Sequence, residues 1–86
     1  MTIAEKIKQR EAIEKAKQEY RSAIREKRER IKELLYNLKK TDYKAIKYAE
    51  GELSAEEYAP TLAERKAWRE EINALQAEIK ALASTT

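Results

Sequence analysis

The sequence predicts an all-α protein: a long N-terminal helix, a short elbow helix, and a C-terminal helix folded back antiparallel, giving a helical hairpin of coiled-coil character. Three observations predict it. Ala, Glu, Lys, Leu and Arg supply 55 of the 86 residues, the excess that marks long helices and coiled coils. The one Gly and the one Pro both fall between residues 51 and 60, so the chain has a single region suited to reversing direction. Trp68, Ile72, Leu75, Ile79 and Leu82 recur at steps of 4, 3, 4 and 3, a heptad seam. A sheet is disfavoured, because the chain has no Val, no Phe and almost no turn residues. Residues 1–86 read as a single helical domain.

Residues 3–39 form the first predicted helix, an unbroken run of strong helix formers. On a helical wheel Ile13, Ala16, Tyr20, Ile24, Ile31, Leu34, Leu35 and Leu38 fall on one side, with Lys27 interrupting the stripe. Ile3 and Ile7 lie about a third of a turn away on that wheel. Thr41 then reads as the N-cap of a short elbow helix, with Asp42 in its first turn. Gly51 ends that helix, being the residue type that takes a left-handed conformation without steric cost. Ser54 and Glu57 stand at the spacing of a capping box, with Leu53 and Tyr58 at the two ends of a hydrophobic staple. Elbow and short helices thus occupy 42–59, Pro60 marks a kink or a break, and 61–83 form the C-terminal helix ahead of a polar tail at 84–86. The last helix is too short to pair with all of the first. It should cover residues 20–39 and leave 3–19 projecting.

Several functions are excluded by composition. Without Cys or His there is no zinc-finger, iron–sulfur, haem or disulfide framework, and no Ser–His or Cys–His nucleophile. A single glycine forbids phosphate-cradling glycine loops. Neighbouring acids such as Glu56 and Glu57 point about 100° apart on a helix and make no acid–base pair. No apolar run approaches the ~20 residues that span a bilayer, and residues 1–10 lack the apolar core of a secretory signal. The expectation is a non-enzymatic protein without cofactor or metal, working through contacts with other macromolecules.

Charge is divided unevenly along the chain. Residues 1–40 hold 13 Lys and Arg against 7 Glu, and residues 41–86 hold 6 against 9 acids. Arg10, Lys17, Arg21, Arg25, Arg28 and Lys32 lie in a narrow strip beside the apolar stripe of the first helix. Such a strip can track phosphates, or serve as a solvated or protein-facing flank. Glu57, Glu64, Glu71 and Glu78, each seven apart, flank the C-terminal seam. Pairing of these glutamates with Arg21 and Arg28 belongs to parallel helices, so it points to contacts between chains. Ile3, Ile7, Ile13, Tyr20 and Ile24 are the residues expected to meet an oligomer or partner. Tyr36, Tyr43, Tyr48, Tyr58 and Trp68, five of the six aromatics, cluster around the elbow. They read either as the small core where helices meet or as a recognition surface.

The segment from Leu38 through Thr41, Asp42, Tyr43 and Ile46 to Gly51, then Tyr58, Arg65, Trp68, Arg69 and Ile72, carries a recognisable string. It resembles the C-terminal helical segment of small phage and prophage tail-region proteins, the ending found in tail-fibre assembly chaperones, over residues 38–79. The resemblance implies a phage-encoded helical protein of virion structure or tail assembly, found in the virion or the host cytoplasm. Ahead of the segment stands one long charged helix instead of the larger N-terminal part of such chaperones. A structural or accessory protein that oligomerises or docks through that helix is the leading expectation. A small nucleic-acid-binding or inhibitor-type protein using the basic strip is the alternative. Arg65 and Arg69 are expected to reach Asp42, Glu50 or Glu52.

Overall fold

The structure, a computed structural model, describes residues 2–84. It is a two-helix hairpin: α1 runs from Ile3–Ala49 and α2 from Ala55–Ser84. Both helices are long because nothing in either run stops them. Where the chain does stop, the cause is local and visible.

Thr2 opens α1. Its Oγ1 accepts from the backbone N–H of Glu5 at 3.2 Å, which satisfies one of the donors every helix start leaves over. Gly51 closes α1 with φ of 80°. The N–H of Glu52 donates to the carbonyl of Lys47 at 2.8 Å and that of Gly51 to Tyr48 at 3.1 Å. This pair of bonds is the Schellman closure, which takes up the last helical carbonyls. Three residues later Ser54 starts α2 through the expected capping box: Glu57 N–H donates to Ser54 Oγ at 3.0 Å, and Ser54 N–H to Glu57 Oε1 at 3.3 Å.

The separate elbow helix expected to begin at Asp42 and end at Gly51 is absent, and so is the helix boundary expected at Thr41. α1 continues unbroken through Thr41 to Ala49. The Thr41 hydroxyl turns back onto the carbonyls of Asn37 and Leu38, at 3.0 and 3.1 Å. That local bond lets a threonine sit inside a helix. Pro60 likewise neither divides nor ends α2. It stands in the second turn, where the missing N–H removes one bond from an otherwise intact helix. Of the polar tail expected at 84–86, Ser84 is the last helical residue, and Thr85 and Thr86 lie outside the described residues.

The molecule measures 74 × 18 × 15 Å, with a radius of gyration of 21.1 Å. A compact domain of this length would have roughly 12 Å, so this is a rod. At ~1.5 Å per residue α1 is about 70 Å long and α2 about 45 Å. The difference is left at one end: every residue from 3 to 19 is exposed, and Tyr20 is the first to be half-covered. The projecting segment expected from the sequence is present with the expected limits.

The core is one seam wide. Leu34, Tyr58 and Ile72 are its buried apolar residues, and Thr61 and Arg65 its buried polar ones. Thr41 meets Arg65, and Tyr48 stacks on Tyr58 with ring centroids 4.7 Å apart. These contacts lie seven residues apart on both helices. Continued one heptad further, the register sets Leu34 opposite Ile72. The predicted heptad holds: Trp68, Leu75, Ile79 and Leu82 are half-buried and Ile72 buried. It also begins earlier than its apolar members show, since Tyr58, Thr61 and Arg65 extend the same three- and four-residue steps.

Candidate functional site

On α1 the residues facing α2 recur in heptads. Lys27, Leu34 and Thr41 lie along the centre, flanked by half-buried pairs such as Ala23 and Ile24, Arg30 and Ile31, or Asn37 and Leu38. This face carries no acid. Its cations are matched from across the seam. Lys27 Nζ meets Glu78 Oε2 at 3.0 Å. Arg30 donates through Nε and Nη2 to both carboxylate oxygens of Glu71, at 3.1 and 3.0 Å, and reaches Glu33 at 3.0 Å. The fork geometry fits a carboxylate, and hydrogen bonds to Glu71 and then Glu33 hold the Arg30 guanidinium above its ordinary pKa. Lys27, which breaks the apolar stripe in the sequence, therefore has an acidic partner on α2.

Two of the glutamates expected to flank a contact between chains are engaged within the hairpin. Glu71 and Glu78 bind Arg30 and Lys27 of the same chain, and not Arg21 or Arg28. Glu57 is engaged in the cap of α2. Three of the four glutamates thus have work inside the hairpin. The reason is geometric: α2 runs antiparallel to α1, and that arrangement sets its flanking acids against Lys27 and Arg30.

The most constrained polar cluster joins Thr41, Asp42 and Arg65. Arg65 is only 6% exposed. Its Nη1 donates to the Leu38 carbonyl and to Thr41 Oγ1, both at 2.7 Å, and its Nη2 to Asp42 Oδ1 at 2.9 Å. The Thr41 hydroxyl proton is directed at the Asn37 and Leu38 carbonyls, which leaves its oxygen to accept from Arg65. No buried side-chain polar atom among the described residues lacks a partner. The expected reach of Arg65 to Asp42 is present, whereas Arg69 is exposed and makes no ion pair among the described residues.

The aromatics divide. Tyr58 is buried and Trp68 half-buried, as a core requires, but Tyr36, Tyr43 and Tyr48 are exposed. Lys40 lies over the Tyr36 ring at 5.9 Å and Lys47 over Tyr43 at 5.8 Å, so two of the exposed rings carry a cation on their faces. Trp68 borders a shallow hollow with Asn37, Lys40, Thr41, Tyr43 and Lys44. Ile46 points outward, 56% exposed.

The expected partner-contact residues lie at and beyond the end of α2. Ile3, Ile7 and Ile13 are exposed, while Tyr20 and Ile24 are half-buried where coverage begins. Ile13, Ala16, Lys17 and Tyr20 line an apolar depression on the projecting segment. The basic strip is also outward: Arg10, Lys17, Arg21, Arg25, Arg28 and Lys32 are all exposed, and none makes an ion pair among the described residues. Arg21, Arg25, Arg28 and Lys32 border one open groove with Tyr20, Ile24 and Glu29.

Among the described residues no three acidic side chains are grouped to hold a metal ion, and no helix is long and apolar enough to cross a membrane. Sequence reasoning missed Thr2, Thr61 and the Tyr48–Tyr58 stack. Thr2 and Glu5 stand at the spacing of a helix start and so had a readable signal, whereas Thr61 holds a heptad position with a polar side chain. Compared with protein families, curated proteins and solved structures, the chain gives no match.

Proposed function

We propose that this chain is a non-enzymatic docking protein whose hairpin holds out residues 3–19 of α1 to receive another helix, in the assembly of a larger structure. One observation carries the reading. The face of α1 that α2 covers continues past the end of α2 with no partner among the described residues, and Ile3 and Ile13 on it are 78% and 54% exposed. Most helical stability in proteins comes from tertiary packing, so residues 3–19, which lie beyond the end of α2, gain stability from a helix that packs on them. The resemblance of residues 38–79 to tail-assembly endings supports a phage tail as the setting, and a second copy or another tail component as the helix received.

Sedimentation velocity of the chain, alone and with phage tail proteins, tests this. Complexes larger than one chain should form, and Ile13→Glu or Tyr20→Glu should abolish them without changing the helical signal of the hairpin. A chain that stays monomeric and gains no partner under either condition contradicts the proposal.

A second reading, binding of nucleic acid, is favoured by Arg21, Arg25, Arg28 and Lys32, which make no ion pair among the described residues. Four phosphate contacts would give a log–log salt dependence of roughly −3 to −4. Absence of binding to duplex or single-stranded oligonucleotides at low salt removes this reading.

A further inference from the structure

We infer that the helix received by residues 3–19 is an acidic amphipathic helix of another protein, paired antiparallel in the manner of α2. The inference rests on the docking reading and names the chemistry of its partner.

In a coiled coil the facing residues keep a strict seven-residue repeat and drift by about 20° per heptad from a straight wheel. Extending the observed register of α1 backwards from Tyr20 and Ile24 brings Lys17, Ile13, Arg10, Lys6 and Ile3 successively onto the line that faces α2. Ile3, set apart on a straight wheel, thereby rejoins the seam. The covered part of this face holds Lys27 and Arg30 among its apolar residues and no acid, and the uncovered part holds Lys6, Arg10 and Lys17 and no acid. Inside the hairpin the cations are accommodated because α2 supplies Glu78 and Glu71. A helix covering residues 3–19 must do the same.

The chain itself is poorly suited to that role. Two copies pairing antiparallel through residues 3–19 would set Lys6 against Lys17 and bring Arg10 into the seam from both sides, joining like charges in a low-dielectric contact. The glutamates of α2 that have the right spacing are already taken by Lys27 and Arg30. Arg21, at the edge of the same line and without an ion pair among the described residues, adds one more cation facing the place where an acidic flank would lie.

The test uses the full chain and three probes in fluorescence anisotropy. The first is a synthetic four-heptad peptide with Leu at its seam positions and Glu at the flanking ones. The second is the same peptide with Lys in place of Glu, and the third a duplex oligonucleotide. The acidic peptide should bind at least about tenfold more tightly than the lysine peptide. Ile13→Glu and the double variant Lys6→Glu/Lys17→Glu should each weaken it by about tenfold or more, with thermal unfolding of the hairpin unchanged. Equal binding of both peptides, still lost in Ile13→Glu, overturns the acidic partner and leaves the docking reading standing. Binding of neither peptide overturns both. Tighter binding of the oligonucleotide, indifferent to Ile13→Glu, overturns the inference in favour of a phosphate backbone. A concentration-dependent dimer of the chain alone that Ile13→Glu abolishes overturns it in favour of self-pairing.

Discussion

Arg65 is the residue on which the hairpin's register depends most. A guanidinium is costly to bury unless all its directions are met, and here Leu38, Thr41 and Asp42 meet it together. The three partners are unequal. Asp42 keeps 53% of its side chain exposed, so its charge is screened, and Asp42→Asn should cost about 0.5–1 kcal/mol. Thr41→Ala removes one acceptor and should cost about 1 kcal/mol. Arg65→Ala removes all the bonds and the packing of the stem, and should cost about 2–3 kcal/mol. Urea unfolding of the three variants checks this order; a larger loss for Asp42→Asn than for Arg65→Ala would contradict it. The pair of Arg30 with Glu71 behaves differently with pH. A folded-state pKa raised above the ordinary value contributes stability that is fully present below the unfolded value and lost only as pH rises through the folded one. Both values lie far above neutrality for an arginine, so deprotonation of Arg30 should give no pH dependence of stability between pH 6 and 9 (~1.5 units either side of ~7.5).

The two helices differ in what sets their limits, and this decides how much of each was legible. Gly51, Ser54 and Glu57 act through bonds within a few residues, and they do what their types and spacing predict. Gly51→Ala should cost about 1 kcal/mol or somewhat more, purely from its positive φ, because a Cβ there meets nothing within 4 Å. Ser54→Ala should cost about 1 kcal/mol through the lost cap. Thr41 and Asp42 carry the same local signal as Ser54, yet they begin no helix. Their side chains are engaged by Arg65, 24 and 23 residues away; the reach of Arg65 to Asp42 is expected from the sequence, but no local motif tells that both residues then stay inside an unbroken helix. Thr61 and Arg65 were hidden for a related reason. They hold seam positions with polar side chains, so a search for apolar spacing starts the seam at Trp68. The aromatics show the same limit: proximity in sequence to the turn did not tell Tyr58, which is buried, from Tyr36 and Tyr43, which face outward.

At the scale of the whole molecule the sequence was most informative through simple lengths. A chain with one turn near residue 51 and a shorter second arm must leave part of the first arm uncovered, and residues 3–19 are that part. The core is correspondingly narrow. Leu34 has no exposed surface, and Leu34→Ala should cost about 2–4 kcal/mol, a large share of the stability of so small a hairpin. Removing residues 3–19, by contrast, should leave the melting temperature within a few degrees of the full chain, since all of those residues are exposed. The proposed partner follows from the same arrangement: a seam of mixed isoleucine and cation that is satisfied by acids along one part and unanswered along the rest. Hydrogen exchange at the amides of residues 5–18, with and without the acidic heptad peptide at about 100 times its Kd, tests this most directly. Exchange should be fast in the chain alone and slowed by up to about a hundredfold on binding, with little change at 24–48. Strong protection of 5–18 without a partner, or protection gained at 24–48 in its place, would contradict the account.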